Sequence, residues 1–340
     1  MSIVMSGGGT GGHLAIVRAI KEELRDKDVD MLYIGSTKGA DRDWFDGDSD
    51  FLATYFLDSK GVVNQRGVGK ILSLWGMFKA TLKARKLLKK HNAKVVFSVG
   101  GFSSAPTAFA SLSLGIPLVI HEQNASMGTL NRLLKPYAKE FISSYDDNSK
   151  QTPYPIKEIY FKTARVRDSI KHIIFLGGSQ GAKAINELAL SLAPVLSQKG
   201  ISITHQAGER NIDEVKKAYE EMGIDADVFG FTKDLPSHIA KADFAIARAG
   251  ASTLWELSAN GLPTIFIPYP YAVGDHQYYN AKYLLDKKLA WVMREGQIDK
   301  EKIEEVISSD ISHISKALQE SVDSSGAKEI GEILLDLKRG

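Results

Sequence analysis

Short apolar runs alternate along the chain with longer stretches in which apolar residues recur every three or four positions. In the first half the short runs are Ile3–Ser6, Met31–Gly35, Ala53–Leu57, Val95–Val99, Leu118–His121 and Phe141–Ser144. The second half repeats the device with Ile173–Leu176, Ile201–His205, Ala226–Gly230, Phe244–Ala247, Thr264–Ile267 and Ala290–Met293. Runs of this length and composition predict buried strands. Amphipathic patterns such as Ala15–Arg25, Lys79–Lys90, Lys183–Leu196 and Asp213–Met222 predict helices between them. Regular alternation of strand and helix implies parallel sheets covered on both faces. Each half also opens alike: Ile3-Val4-Met5-Ser6-Gly7-Gly8 matches Ile173-Ile174-Phe175-Leu176-Gly177-Gly178, half of the 340-residue chain further on. The expected fold is therefore α/β, with two doubly wound Rossmann-like domains, 1–160 and 161–340, facing a central cleft. Pro153 and Pro155 mark a linker near Thr152–Arg167, and the C-terminal helix has the option of packing back on the first domain. Ligand is expected at the carboxyl ends of both sheets.

Composition removes several chemistries. With no cysteine there is no disulfide framework, thiolate metal site or cysteine nucleophile. The formal net charge of +2 looks neutral, but its distribution is not. From Ser59 to His121 there is no Asp or Glu, while Lys60, Arg66, Lys70, Lys79, Lys83, Arg85, Lys86, Lys89, Lys90 and Lys94 all fall there. The remainder of the chain carries a net charge of −8. Met1–Met5 lacks the basic and apolar regions of a secretory signal. The long uncharged stretch Val95–His121 is interrupted by Gly100, Gly101, Pro106, Gly115 and Pro117, which fits strand, turn, helix and strand better than a membrane span.

Three glycine turns follow predicted strands. The first, Gly7-Gly8-Gly9-Thr10-Gly11-Gly12-His13, enters a helix near Leu14, where close backbone approach and unpaired amides suit a phosphate. Gly7, Gly9 and Gly12 have dinucleotide-fingerprint spacing, but Gly35-Ser36-Thr37-Lys38 stands where that fold needs a ribose-binding acid. The second turn is Gly100-Gly101-Phe102-Ser103-Ser104, and the third, Gly177-Gly178-Ser179-Gln180-Gly181-Ala182, lacks the lysine of a Walker loop. Asp46-Gly47-Asp48-Ser49-Asp50 imitates a calcium loop without its later glycine and glutamate, and Asp225-Ala226-Asp227 precedes a strand. Both are read as solvated turns, and no metal site is expected.

The motifs GGGTGGH, SVGGFSSAP (98–106), HEQN (121–124), GGSQGA (177–182), RAGASTLWE (248–256) and HQYYNA (276–281) occur in one order along nearly the whole chain. In this the chain resembles the bacterial peptidoglycan N-acetylglucosaminyltransferases. The resemblance implies a GT-B fold and inverting transfer of GlcNAc from UDP-GlcNAc to the muramyl 4-hydroxyl of undecaprenyl-linked lipid I, with no cofactor. It implies donor contacts at Ser179, Gln180, Thr232, Arg248, Ala251, Ser252, Thr253, Glu256 and Gln277. A carboxylate such as Glu256 accepts from both ribose hydroxyls. Acceptor diphosphate is expected at Thr10, Gly11, Gly12, Gly101 and Ser103, with Asn124 near the reacting sugar. His13 is the candidate general base, since a helix N-terminus disfavours imidazolium, and Glu122 is the alternative. Two departures stand out: Leu14-Ala15-Ile16-Val17 lacks the usual proline, and Thr163-Ala164-Arg165-Val166-Arg167 replaces GNPVR. Arg165 or Arg167 is the linker arginine expected to reach substrate.

The basic stretch also carries Ile71, Leu72, Trp75 and Phe78 beside its lysines, the combination of an interfacial helix on an anionic membrane. The expected location is peripheral, on the cytoplasmic face of the cell membrane. Nucleic acid is not an expected partner, because aromatics are not interleaved with the charges and no recognised module appears. A soluble nucleotide-sugar epimerase of the same fold and a non-catalytic nucleotide-binding module are the rival readings.

Overall fold

The structure, a computed structural model, describes residues 1–59, 68–145, 150–178, 181–232 and 234–339. The chain divides into two compact units, one formed by Met1–Lys157 with Ser324–Gly340 and the other by Glu158–Asp323.

The first unit is built on β1 (Ser2–Ser6), β2 (Asp30–Ser36), β3 (Ala53–Leu57), β4 (Ala93–Ser98), β5 (Leu118–Glu122), β6 (Glu140–Ser143) and β7 (Lys150–Gln151). They form one parallel sheet in the order β3-β2-β1-β4-β5-β6-β7. Val4 pairs with Leu32 on one side and Val96 on the other, and these three join Ile34 and Ile120 in the core. Burial of β1 on both faces explains why its apolar run is continuous instead of alternating. The order reverses between β1 and β4, so the turns after these two strands flank the switch point where doubly wound folds take their ligands.

The second unit repeats the plan with β8 (His172–Leu176), β9 (Ser202–Gln206), β10 (Ala226–Phe229), β11 (Phe244–Ala247), β12 (Thr264–Phe266) and β13 (Trp291–Val292). The order is β10-β9-β8-β11-β12-β13, again all parallel, with its switch point between β8 and β11. Ile173, Phe175, Ile203, Phe244, Ile246 and Ile265 form its centre, and the helix Lys183–Gln198 lays Ile185, Leu188, Leu192 and Leu196 over it.

The last helix, Gly326–Arg339, belongs to the first unit. Its buried Ile330, Gly331 and Leu334 pack against the helix Gly11–Leu24 and against β1 and β4.

One acidic segment differs from the solvated turn expected, and in the other Asp225 and Asp227 are both exposed. Asp48 and Asp50 hold Lys21, a nearly buried cation, with Nζ 2.6 and 2.7 Å from their carboxylates. The apolar path of the Lys21 side chain is covered, and the two acids compensate its charge. Asp227 lies within the edge strand β10, exposed and 3.2 Å from Nδ1 of His238. Among the described residues no group of three His, Asp or Glu is placed to hold a metal ion.

Most of the described lysines of the basic stretch lie on one continuous helix, Val68–Lys90. Its inner face is narrow: Ala80, Ala84 and Leu88 are buried, and the helix packs on Gly101–Leu114. Leu72, Leu74, Trp75, Phe78 and Leu82 remain exposed, Trp75 at 55% and Phe78 at 51%. The two aromatic rings stack with centroids 5.6 Å apart, and Lys79 Nζ lies 5.3 Å from the Trp75 ring. The side chain of Ile71, expected on the same face, is outside the described residues, as are Lys60 and Arg66. Among the described residues no helix is long and apolar enough to cross a membrane.

Candidate active site

In the first unit the turns after β1 and β4 are packed backbone to backbone. Gly101 has φ +76°, and a Cβ there would stand 2.7 Å from the Gly8 carbonyl oxygen and 3.6 Å from His13 Nε2. Only glycine allows that approach. The two turns thus present one surface made of backbone and two helix N-termini, Gly11–Leu24 and Gly101–Leu114. Such ends attract anions through first-turn amides and the helix dipole.

His13 lies in the first turn of its helix, half-buried, with Nδ1 2.8 Å from Thr10 Oγ1. That hydrogen bond fixes the ring and turns Nε2 toward the Gly101 turn. Thr10 is exposed, and Gly11, Gly12 and Gly101 are half-buried. Ser103, expected to meet diphosphate, is 1% exposed in the first turn of its helix, and its buried hydroxyl has no hydrogen-bond partner among the described residues. The half-buried amides of Gly101 and Phe102 are the accessible groups of that turn.

Glu122 ends β5 and is buried. Its Oε1 accepts from the Asn124 backbone N–H at 3.0 Å and side-chain amide at 3.4 Å, and Oε2 from Gly128 N and Asn131 Nδ2, both at 2.9 Å. Three donors of its own loop and one from the helix Thr129–Leu134 saturate the carboxylate, so Glu122 shapes the loop and orients Asn124.

His121, beside it, is fully buried, and neither ring nitrogen has a hydrogen-bond partner among the described residues. Burial, with a smaller effect from His13, lowers its pKa to about 3, and burial lowers that of His205 to about 4. Both groups bind fewer protons folded than unfolded. Their contribution to stability is complete above pH 6.5 and is lost as pH falls toward the folded values, roughly 2 kcal/mol each by pH 5. The melting temperature is therefore expected to drop between pH 7 and 5, and the drop to be shallower in His121→Asn and His205→Asn. An unchanged pH slope in both variants would contradict this assignment.

In the second unit Ser179 and Gln180 lie outside the described residues. The flanking backbone is anchored: Gly178 N donates to Gln206 Oε1 at 3.1 Å and Gly181 N to the Gly178 carbonyl at 2.9 Å. Thr232 sits in the loop after β10, and its hydroxyl accepts from Asp234 N at 3.0 Å. Arg248 follows β11. Its Nη1 donates to the carbonyls of Ile267 and Pro268 and lies 2.8 Å from Glu295 Oε2, while the guanidinium stands over Tyr269. The helix Ala251–Ala259 begins next, with Ala251 and Ser252 buried and Thr253 and Glu256 half-buried. Gln277, in His276–Asp286, accepts from Tyr269 N at 3.0 Å through Oε1. These residues gather at the carboxyl edge of the second sheet, which is the ligand edge of its fold.

The linker arginines do not join them. Arg165 donates to the carbonyls of Ala240, Lys241 and Ala242 and to Asp243 Oδ1 at 2.6 Å. Asp243 immediately precedes β11, so Arg165 is tied at the amino edge of the second sheet, whereas the residues expected to meet the donor gather at its carboxyl edge. Arg167 is buried there too. It donates to Ala242 O, Arg165 O and Ile239 O, and to Asn260 through both its carbonyl and its side-chain oxygen. Burial, reinforced by the charge of Arg165, lowers its pKa to about 9, which leaves it charged at neutral pH.

Residues 3–143 match the N-terminal domain of glycosyltransferase family 28, and residues 172–333 match the C-terminal domain. The chain belongs to glycosyltransferase family 28. This family 28 enzyme is 63% identical over 334 residues to the UDP-N-acetylglucosamine–N-acetylmuramyl-(pentapeptide) pyrophosphoryl-undecaprenol N-acetylglucosamine transferase of Sulfurovum sp., covering 98% of each chain. To the transferase of the same name from Wolinella succinogenes it is 52% identical, over 98% of this chain and 100% of the relative. A crystal structure of MurG from Acinetobacter baumannii superposes with a TM-score of 0.78 at 25% identity, over 98% of this chain and 99% of that one. The family 28 enzyme thus has the GT-B fold. A UDP-N-acetylglucosamine 2-epimerase structure, at 12% identity and TM-score 0.62 over 98% and 96% of the two chains, shares that fold alone.

The sequence missed several groups. Asn131 and Gln206 hold site loops from outside the motifs, and Glu295 pairs with Arg248 from a segment without any signature.

Proposed function

We propose that this glycosyltransferase moves GlcNAc from UDP-GlcNAc to the muramyl 4-hydroxyl of lipid I, with inversion, forming lipid II at the cytoplasmic face of the cell membrane. The observation that carries the reading is the 63% identity over 98% of the chain to the Sulfurovum transferase named above. The site chemistry agrees. An inverting transfer needs a base for the acceptor hydroxyl and positive ends for a departing diphosphate. His13 Nε2 is the base, held by Thr10 through Nδ1. Acceptor diphosphate lies against Thr10–Gly12 and the Gly101 turn, with Asn124 beside the reacting sugar. In the second unit the amino end of Ala251–Ala259 and Arg248 receive the UDP diphosphate, with Ser179 and Gln180 as sequence-based partners. Glu256 takes the ribose hydroxyls, the Thr232 backbone the uracil, and Gln277 the sugar. UDP release that depends on an added lipid I analogue tests the reading; release at the same rate without acceptor would refute it.

The exposed face of Val68–Lys90 is the membrane contact. Stacked Trp75 and Phe78 enter the interface while the exposed Lys79, Lys83 and Lys86 meet anionic headgroups. Replacing Trp75 and Phe78 together by Asp is expected to lower flotation with phosphatidylglycerol vesicles at least about ten-fold, given ~1.5–3 kcal/mol for each large apolar side chain buried. The melting temperature should hold, because both rings are exposed. Undiminished flotation would rule the face out.

A further inference from the structure

The first glycine loop lies on a bed made by the end of β2 and the segment after it. Asp41 is fully buried there. Its Oδ2 accepts from Gly9 N at 2.8 Å, and Oδ1 from Ser36 N at 3.0 Å. The Tyr33 hydroxyl lies 2.6 Å from the Gly7 carbonyl oxygen and 2.9 Å from Asp41 Oδ1. Burial, then the charge and hydrogen bond of Asp41, hold the Tyr33 pKa well above its ordinary value, so the phenol remains a donor. Fit is close on the glycine side: a Cβ on Gly39, at φ +85°, would stand 2.7 Å from Gly9 Cα, and one on Gly8 would stand 2.7 Å from Asp41 Oδ1.

In a dinucleotide-binding fold the acid near the end of the second strand reaches outward to a ribose. This chain has an acid near that place, turned the other way. Both of its oxygens are committed to backbone and phenol donors within the first unit, and one of those donors belongs to the glycine loop itself. The loop leads directly into Thr10 and His13.

We infer that Asp41, with Tyr33 as its partner, is a positioning residue for the acceptor half of the reaction, fixing Gly7–Gly9 so that Thr10–Gly12 meet the acceptor diphosphate and His13 its hydroxyl. This rests on the acceptor reading of the first unit given above. A charge-assisted hydrogen bond from a fixed amide holds the loop more firmly than water could, and the loop's glycines have no side chains to hold it otherwise.

The test uses the full chain. Asp41→Asn keeps the size but turns an N–H group toward a donor. It is expected to raise the acceptor KM about ten-fold, consistent with loss of a hydrogen bond to a charged group, and to leave the UDP-GlcNAc KM within two-fold. Tyr33→Phe should give the same split at about three-fold. The double variant should fall short of the product of the two, because both act on one loop. Amide hydrogen exchange over residues 7–13 should quicken about ten-fold in Asp41→Asn with no change in 172–260. An unchanged acceptor KM, unchanged exchange, or equal rises in both KM values would overturn the inference. If Asp41→Asn does not fold, the same split is required of Tyr33→Phe. Failure of the underlying reading looks different, since the wild type itself would then not transfer to the acceptor.

Discussion

His13→Ala is expected to lower the transfer rate about a hundred-fold to a thousand-fold, the usual contribution of a positioned general base. Binding of UDP, measured by calorimetry, should stay within two-fold, because the donor residues belong to the second unit. The geometry behind this is the fixed ring. Thr10 engages Nδ1 at 2.8 Å, and Nε2 is directed to the turn at Gly101. The competing carboxylate, Glu122, already accepts four hydrogen bonds from its own loop and the helix Thr129–Leu134. Single-turnover measurement with saturating donor isolates the chemical step. A His13→Ala rate within three-fold of the wild type would remove His13 as base.

Arg167→Ala is expected to destabilise the second unit by about 4 kcal/mol, since each buried acceptor left without a donor costs ~1–3 kcal/mol. The guanidinium ties the carbonyls of Ile239, Ala242 and Asn260 and the Asn260 side chain in one buried network. Asn260 in turn donates to Tyr160 O at 2.9 Å and Thr163 Oγ1 at 3.0 Å, which connects the start of the unit to its sheet. For a unit of this size the melting transition should move down by roughly 10 °C. Arg167→Lys should recover little of it, because a single ammonium cannot reproduce the planar fork. Calorimetry checks both variants, and an Arg167→Ala transition within 2 °C of the wild type would contradict the network's role.

The two linker arginines show where sequence reasoning reached its limit. Apolar periodicity located β1, β3, β8 and β11 to within a residue, because buried parallel strands leave continuous apolar runs. It also marked the three glycine turns, whose positive-φ positions need glycine. Arg165 and Arg167 carry no such signature: a guanidinium serves a phosphate and a set of carbonyls equally well, and only the chain path decides between them. Asp41 was invisible because a ribose acid was sought at the strand end, whereas the acid arrives several residues later and faces the loop. The charge map was more informative. Within the acid-free stretch, the helix Val68–Lys90 has an inner face of chiefly small residues and leaves its large ones outside.

The enzyme's activity is transfer of GlcNAc from a nucleotide-sugar donor to a lipid-linked acceptor. Incubating the enzyme with UDP-[14C]GlcNAc and a lipid I analogue, then following label in the organic phase, tests it most directly. The account predicts one labelled GlcNAc per acceptor, in β-1,4 linkage, with an equal amount of UDP. Label recovered as free GlcNAc or as an epimerised UDP-sugar, with the acceptor unchanged, would contradict it.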